Sequence, residues 1–163
     1  IISLTSKGPV FYTQLRVGVS GKSFKIIKFR TMIRNAEKDT GAVWSKTDDV
    51  RITKVGRVLR KFSLDELPQL INVIKGEMSL VGPRPERPEF VEKFKDEIPK
   101  YMLRHTVKPG MTGWAQVHGL RGNTPLTKRI EFDIFYIQNW TMKLDFEILW
   151  RTILKFQFID INT

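Results

Sequence analysis

Residues 60–89 read RKFSLDELPQLINVIKGEMSLVGPRPERPE, a stretch that joins strong fold signals to an acidic pair in a basic chain. The two adjacent carboxylates, Asp65 and Glu66, precede a proline at position 68. Proline suits the first turn of a helix and glycine follows helix ends, which predicts a short helix over residues 68–75. The segment Pro83-Arg84-Pro85 then stiffens the backbone around an arginine. The stretch therefore predicts an acidic pair at the start of a helix and a rigid loop that presents a cation.

The acidic pair has a structural interpretation that does not involve chemistry. Ser63 and Glu66 have the spacing of a capping box, in which Ser63 is the N-cap and Glu66 reaches back to it. Pro68 would then lie at the fifth helical position, where its ring and missing N–H disturb the hydrogen-bond ladder. A helix that begins at Pro68 removes this conflict and leaves both carboxylates at the positive helix end, a placement that stabilises by roughly 0.3–1 kcal/mol each.

The chemical interpretation of the pair involves phosphate. A helix N-terminus favours phosphate, and two carboxylates there would repel it unless a divalent cation mediates, as Mg²⁺ does in nucleotide chemistry. A carboxylate beside a metal-bound diphosphate can act as a nucleophile and form an acyl phosphate. Arginines near it would bind phosphate oxygens and neutralise charge in the transition state. The candidate cations are Arg60, Arg84, Lys25, Lys28 and Arg30.

The bulk composition sets limits on the class of protein. The chain has 163 residues with 41% hydrophobic and 28% charged residues, as expected for one globular domain. It has no cysteine, which excludes disulfides, a cysteine nucleophile and thiolate metal sites. The net charge of +11 indicates a polyanionic partner: nucleic acid, an anionic membrane surface or a phosphate-rich substrate.

The remaining sequence predicts an α+β fold, with a small β-hairpin or sheet and several helices. Two stretches rich in β-branched and aromatic residues, 9–17 and 24–31, flank a glycine-containing turn at 18–23 and predict the hairpin. The other predicted segments are a polar loop or flap over 34–50, a helix over 51–62, a charged helix over 86–104 interrupted near Pro99, turns over 105–122, a helix from an N-cap at Thr124 to about residue 139, and a last helix over 142–158.

Two of these helices have amphipathic patterns that leave their environment open. Residues 51–62 place apolar side chains at helical spacing among lysines and arginines, and residues 142–158 have a broad apolar and aromatic face. Packing on a core is one interpretation, and a position in the membrane interface is the other. No run approaches the 18 to 20 apolar residues that span a bilayer. The chain begins at Ile1 without methionine, and we expect a fragment whose upstream part, where a membrane anchor could have stood, is missing.

Motifs along nearly the whole chain resemble the bacterial sugar transferases, the monotopic polyprenyl-phosphate phosphoglycosyl transferases. The central signature is DELPQLINV at 65–73 followed by GEMSLVGPRP at 76–85. The similarity continues in GPVFY at 8–12, Gln14, RVG at 16–18, FKIIKFRTM at 24–32, KPGMTGWAQV at 108–117 and EFDIFYI at 131–137. Several long motifs in this order are highly specific, so residues 1–163 are identified as a phosphoglycosyl transferase catalytic domain.

The resemblance implies a ping-pong mechanism in which a sugar 1-phosphate passes from a UDP-sugar to undecaprenyl phosphate, with release of UMP. Asp65 matches the aspartate that attacks the β-phosphate to give a phosphosugar-enzyme, and Glu66 matches the glutamate that helps to hold Mg²⁺. Arg60 and Arg84 match arginines implicated in binding substrate phosphate. Asp133 matches an aspartate of a late helix that is also implicated in the site.

The resemblance also implies a cellular context. Such enzymes act at the cytoplasmic face of the bacterial plasma membrane, in the first membrane step of exopolysaccharide, capsule, O-antigen or glycan synthesis. The expected partners are therefore UDP-sugar, undecaprenyl phosphate and membrane lipids rather than nucleic acid. The oligomeric state, a homo-oligomer included, and the identity of the sugar stay open. Gln69 lies on the side of the short helix that faces the dyad, the pair Asp65 and Glu66. It is a further candidate for a residue that supports the site.

Two other functions compete with this one. A basic nucleic-acid-binding module would explain the charge, but the chain has no zinc-ligand spacing or aromatic ribonucleoprotein motif, and such a module leaves the acidic pair unexplained. A membrane-surface scaffold without catalysis would explain the basic amphipathic helices but makes Asp65 incidental. Salt-dependent DNA binding would favour the first, and an Asp65→Asn variant without any effect would favour the second.

Overall fold

The computed structural model describes residues 1–38, 41, 43, 49–122 and 124–158, with side chains up to residue 154. The predicted α+β class is confirmed, because helices surround two small sheets. The helices are α1 (Ile2–Thr5), α2 (Lys54–Lys61), α3 (Gln69–Ile74), α4 (Pro88–Phe94), α5 (Trp114–Val117), α6 (Leu126–Gln138) and α7 (Met142–Phe158). The strands are β1 (Phe11–Val17), β2 (Ser23–Phe29), β3 (Ser79–Val81) and β4 (Gly110–Thr112).

The predicted hairpin is confirmed as the antiparallel pair β1–β2. Its register runs from Phe11 opposite Phe29 to Val17 opposite Ser23. Within the turn, Ser20 has a φ of 54° and Gly21 a φ of 75°, the left-handed conformation that such a tight connection requires. Because side chains alternate along a strand, the buried residues Phe24 and Ile26 share one face of β2 with Lys28.

Strand β4, which pairs in parallel with β3, lies in the segment 105–122 for which only turns were predicted. The two backbones approach so closely that a Cβ atom on Gly110 would overlap the backbone of Val81 and Gly82. Gly113 lies equally close to the carbonyl of Gly82. Glycine is therefore required here for close approach, and the pair fixes the start of the Pro83-Arg84-Pro85 loop.

The helix predicted over 51–62 is confirmed as α2. Thr53 is its N-cap, with Oγ1 accepting a hydrogen bond of 2.9 Å from the Gly56 amide. Gly56 packs directly on the backbone of Thr31, so α2 lies against the end of β2. The last predicted helix, 142–158, is confirmed as α7. The charged helix predicted over 86–104 ends early: α4 stops at Phe94, and a 3-10 helix covers Tyr101–His105.

The predicted N-cap at Thr124 is wrong. Helix α6 begins at Leu126 with Pro125 at the N-cap position, and no side chain caps it. Thr124 instead accepts a hydrogen bond of 3.2 Å from Arg129 through its Oγ1. Of the predicted loop over 34–50, residues 34–38 form turns. Residues 39, 40, 42 and 44–48, Trp44 included, lie outside the described residues.

Among the described residues, three small apolar clusters form the core and hold the sheets against the helices. Val17, Val91, Tyr101 and Ile130 join β1 to α4 and α6. A second cluster packs the buried face of β2 on Met78, and a third packs β3 against α6 and α7. In the part of the chain that the structure describes, no helix combines the length and apolarity needed to cross a bilayer.

Candidate active site

The acidic pair lies in a 3-10 turn, Leu64–Glu66, between α2 and α3. Ser63 before it has a φ of 50° and makes no capping hydrogen bond with its side chain, so the alternative of a capping box is wrong. The helix predicted over 68–75 is confirmed as α3, which begins at Gln69 with Pro68 at the N-cap position rather than in the first turn. The two carboxylates therefore project from a short, sharply turned segment between two helices.

Glu66 is held on two cations from different parts of the chain. Its Oε1 accepts hydrogen bonds from Lys28 Nζ at 2.7 Å and from Arg84 Nη2 at 2.5 Å, and its Oε2 accepts from Arg84 Nη1 at 3.2 Å. Burial would raise the pKa of Glu66, but the charges and hydrogen bonds of Arg84 and Lys28 outweigh it and hold that pKa well below its usual range. Glu66 is thus firmly ionised and fixed in place.

Asp65 has the opposite environment although it is the adjacent residue. It is 8% exposed, and no described residue gives its carboxylate a hydrogen bond or an ion pair. Burial raises the pKa of Asp65, as does the nearby charge of Glu66, against the influence of Lys28, Arg60 and Arg84. A carboxylate that accepts no hydrogen bond from the described residues, with cations at longer range, has an environment that suits a nucleophile.

The dyad lies in a large basic cleft of about 950 Å³. Among the described residues that line it, eleven are lysine or arginine and four are aspartate or glutamate. A concave surface with such an excess of cations concentrates anions, and its volume suits a ligand of nucleotide size. The cleft therefore favours a polyanionic small molecule. The basic residues are Arg16, Lys28, Arg30, Arg34, Lys38, Arg51, Arg60, Arg84, Arg87, Arg121 and Arg129.

Arg60 reaches the cleft from the last turn of α2. Its Nε donates a hydrogen bond of 2.8 Å to Thr31 Oγ1, the residue against which Gly56 packs. Burial lowers the pKa of Arg60, and the charge of Asp65 opposes this change. The contact between α2 and the end of β2 thus sets the position of Arg60 on the Asp65 side of the dyad.

The loop that carries Arg84 is supported from behind by buried arginines. Arg104 Nη2 donates to the backbone oxygen of Arg84 at 2.8 Å and to Asp133 Oδ2 at 2.7 Å. Arg16 Nη1 donates to the Pro85 oxygen at 3.1 Å. Glu86, two residues after Arg84, accepts through Oε1 a hydrogen bond of 2.9 Å from Arg129 Nη1. These bonds hold the backbone so that the Arg84 guanidinium meets Glu66.

Sequence reasoning missed most of this support. Arg104, Glu86 and Arg129 were not candidates, because a buried ion pair between distant segments has no local periodicity. The signal that the sequence offers is the residue type. An arginine in a segment that packs on the core is seldom buried without a partner, so such an arginine predicts a buried ion pair. Arg16 was seen only as part of a motif. Burial and the charge of Arg84 lower its pKa to about 10.

The structure brings five of the predicted residues together in the cleft, and the other four have different surroundings. The five are Asp65, Glu66, Lys28, Arg60 and Arg84. Lys25 lies on the opposite face of β2 from Lys28 and does not line the cleft. Arg30 lines the cleft, but its guanidinium donates to the backbone oxygens of Ser6, Lys7, Gly8 and Pro9. Asp133 is buried against Arg104 and acts at a distance from the cleft.

Gln69 is 1% exposed, and its Nε2 has no hydrogen-bond partner among the described residues. Its neighbour on α3, Asn72, was not a candidate yet makes the contacts that join this helix to the hairpin. Asn72 donates through Nδ2 to the Lys25 oxygen at 2.8 Å and accepts through Oδ1 from the Ile27 amide at 3.0 Å. Asn72 therefore ties the helix that follows the dyad to the strand that carries Lys28.

The donor set at the dyad suits a cation that takes most of its ligands from a substrate. Within the described residues, no three histidine, cysteine or acidic side chains cluster as a metal cage. Mg²⁺ commonly binds through one or two carboxylates together with substrate phosphates and water. Glu66 Oε2 accepts a single hydrogen bond of 3.2 Å and the Asp65 carboxylate accepts none from the described residues, so both retain oxygen lone pairs.

Comparison with known proteins finds relatives that are named as sugar-phosphate transferases. The chain is 50% identical over 94% of its length to an N-acetylgalactosaminephosphotransferase of Aeromonas hydrophila, named as acting from UDP-N-acetylgalactosamine on undecaprenyl phosphate. It is 48% identical, over 94% of its length, to the UDP-glucose:undecaprenyl-phosphate glucose-1-phosphate transferase of Klebsiella pneumoniae. These matches cover 36% and 34% of the two relatives, so the chain spans about a third of their length.

One shorter relative is matched over most of its own length, and a family model matches most of this chain. The sugar transferase EpsL of Bacillus subtilis (strain 168) is 44% identical over 95% of this chain and 73% of its own length. The family model for the bacterial sugar transferases matches residues 1–158, which include the dyad, the basic cleft and the buried support of Arg84. The chain therefore belongs to the bacterial sugar transferase family.

Proposed function

We propose that the protein transfers a sugar 1-phosphate from a UDP-sugar to undecaprenyl phosphate and releases UMP, through a covalent intermediate on Asp65. One observation carries the proposal. A buried carboxylate without a hydrogen-bond partner among the described residues lies in a cleft lined by eleven cations, beside a second carboxylate that is fixed on Lys28 and Arg84. The relatives whose names specify UDP-sugars and undecaprenyl phosphate supply the identity of the two substrates.

In the first half-reaction, an Asp65 oxygen attacks the β-phosphorus of the UDP-sugar. The bond from that phosphorus to the oxygen bridging the two phosphates breaks, and UMP leaves with the electron pair. In the second half-reaction, a phosphate oxygen of the lipid attacks the same phosphorus and the bond to Asp65 breaks. Both nucleophiles are anions, so neither step needs a general base.

The cations of the cleft stabilise the negative charge that moves during these steps. Arg84 is fixed by Glu66 in front and by Arg104 behind, and such preorganised charge needs no rearrangement as the transition state forms. Arg60 lies on the Asp65 side and would bind phosphate oxygens of the donor. We propose Glu66 as the side chain that holds Mg²⁺ together with the diphosphate, where the metal would neutralise charge on the leaving group.

Exposed apolar residues beside the dyad support a position at the membrane surface. Leu64, Leu67, Leu70, Ile71 and Ile74 follow the 3-10 turn and α3 with exposed fractions from 41% to 86%. Such a row in a strongly basic protein is typical of a segment that rests in the interface of an anionic membrane. We therefore propose that the enzyme works at the cytoplasmic face of the bacterial plasma membrane, early in exopolysaccharide, capsule, O-antigen or glycan synthesis.

The test is release of UMP by the full-length protein from a panel of UDP-sugars with Mg²⁺ and without lipid acceptor. We expect a burst of one UMP per enzyme with the correct donor. The burst should be lost in Asp65→Asn and kept in Asp96→Asn, an exposed aspartate outside the cleft. Full activity of Asp65→Asn would exclude the covalent mechanism. UMP release that requires the lipid would indicate direct transfer instead.

A further inference from the structure

A second, smaller cavity of about 240 Å³ lies beside the cleft, between the parallel sheet and α7. Its walls include Leu80 of β3, Met111 of β4, Val117 of α5 and Leu149 of α7. The two threonines in the wall satisfy each other, because Thr112 Oγ1 and Thr152 Oγ1 share a hydrogen bond of 2.7 Å. The cavity therefore offers a mainly apolar surface to its occupant.

Three residues, Ser63, Glu66 and Arg121, line both this cavity and the basic cleft. Glu66 is already paired with Lys28 and Arg84. Arg121 is exposed, and its guanidinium makes no hydrogen bond or ion pair with any residue that the structure describes. A cation without a partner, where an apolar cavity meets an anion-binding cleft, is suited to a phosphate attached to an apolar chain.

The cavity opens towards the apolar row beside the dyad. Leu67 and Leu80 belong to its lining and are 47% and 44% exposed. Leu67 is also a member of the exposed apolar row that runs along the 3-10 turn and α3. The same surface that we assign to the membrane therefore continues into the cavity. A lipid tail could pass from the bilayer into the cavity without exposure to water.

We propose that this cavity binds the phosphate end of the acceptor lipid, with the phosphate on Arg121 and the first isoprene units against Leu80 and Leu149. The inference rests on the proposed function and locates its second substrate. At about 240 Å³, the cavity is smaller than the pockets of roughly 300–1,000 Å³ that bury ligands of nucleotide size, so the UDP-sugar belongs in the larger cleft. The two substrates then reach the dyad from different sides of Glu66.

The experiment uses full-length protein in nanodiscs of phosphatidylethanolamine and phosphatidylglycerol, with undecaprenyl phosphate and UDP-sugar titrated separately. Leu149→Trp should fill the cavity, and Ile153→Trp is its control on an outward position of the same helix, 53% exposed. Arg121→Ala tests the cation, with the exposed Lys128→Ala as control. Because Arg121 and Lys128 are both exposed, neither variant disturbs the core.

We expect Leu149→Trp to raise KM for the lipid at least about tenfold while KM for the donor stays within about twofold. Arg121→Ala, which removes a cation that also lines the cleft, should raise KM for the lipid more than KM for the donor, and the controls should match wild type. Farnesyl phosphate should compete with the lipid in wild type, about tenfold less well in Leu149→Trp. An unchanged lipid KM in both variants, or a raised donor KM alone, would overturn the assignment.

Competition by short-chain phosphatidylglycerol as strong as that by farnesyl phosphate would assign the cavity to bulk lipid and also overturn it. Failure of the proposed function has a different signature, since wild-type protein would then form no lipid-linked sugar phosphate with any donor.

Discussion

Two clusters of arginines and carboxylates lie on either side of the Arg84 loop, and they differ in how far they are closed. The front cluster consists of Glu66, Lys28 and Arg84, whose side chains are 15% to 29% exposed. The back cluster pairs Arg104 with Asp133 and Arg129 with Glu86, and its side chains are 1% to 6% exposed. Both use the same chemical groups, and Glu86 and Arg129 of the back cluster also line the cleft, but only the front cluster contains Glu66, the neighbour of an Asp65 carboxylate that no described residue pairs.

The difference separates binding from support. Front charges meet solvent or a ligand, so their desolvation is incomplete and a substrate phosphate can share them. Back charges are removed from water, and their cost is offset only because each finds a partner within the fold. The back cluster contacts Arg84 through its backbone oxygen, which accepts a hydrogen bond from Arg104. We therefore expect changes at the back to affect stability first and changes at the front to affect turnover first.

The largest loss of stability is expected from Arg104→Met. The change leaves Asp133 buried without its cation, and breaking a buried pair in this way costs about 3–5 kcal/mol. Thermal or denaturant unfolding of the full-length protein measures the loss. Arg151→Met serves as control, since it removes an exposed i,i+4 pair with Glu147 and should change stability by no more than about 0.5 kcal/mol.

A double variant separates two roles of Arg104: its pairing with the Asp133 charge and its positioning of the Arg84 backbone. Arg104→Met combined with Asp133→Leu removes both charges, and stability should recover a substantial part of the loss. Turnover should not recover, because the Arg84 oxygen still lacks its donor. Recovery of both would mean that the back cluster supports the fold and leaves Arg84 unaffected.

The features that the sequence predicts are local ones, and those that it does not predict arise from contacts between distant segments. The hairpin was predictable because its alternation and its turn are local, whereas β3–β4 depends on glycines that meet only after folding. The dyad and Arg84 were predictable from one continuous motif. Arg104 was not, since its role arises from a contact between distant segments. The separation of Lys25 from the cleft was predictable too: Lys25 lies three residues from Lys28, and a period of two puts these side chains on opposite faces of the strand.

At the front, Glu66→Gln should reduce turnover more than stability. The variant keeps the shape but removes the charge that holds Lys28 and Arg84, so roughly 1.5–3 kcal/mol of folding stability is at risk. Turnover should fall about 10²-fold or more, because Arg84 loses its fixed position and the proposed metal its carboxylate. The exposed Glu92→Gln is the matched control. A loss of stability as large as that of Arg104→Met would contradict the distinction between the two clusters.

The smallest expected effect is on the pH dependence of stability, because the pKa values of Asp65 and Glu66 shift in opposite directions. The folded-state pKa of Glu66 is depressed, so its contribution to stability is present above its ordinary pKa of 4.5 and is lost as pH falls towards the folded value. Burial raises the pKa of Asp65 above its ordinary 3.8, so its ionisation costs stability as pH rises through that raised value, and the cost persists at neutral pH.

Asp65→Asn should therefore unfold at a slightly higher temperature than wild type at pH 7 while it loses turnover. The difference in Tm between the two proteins should shrink as pH falls below the raised pKa of Asp65, because the wild-type carboxyl then becomes neutral like the amide. Thermal unfolding from pH 4 to 8 measures it. A nucleophile kept ionised in a buried position costs stability, and removal of the charge should recover that cost. An Asp65→Asn variant less stable than wild type at every pH would contradict a cost of ionisation at this carboxylate.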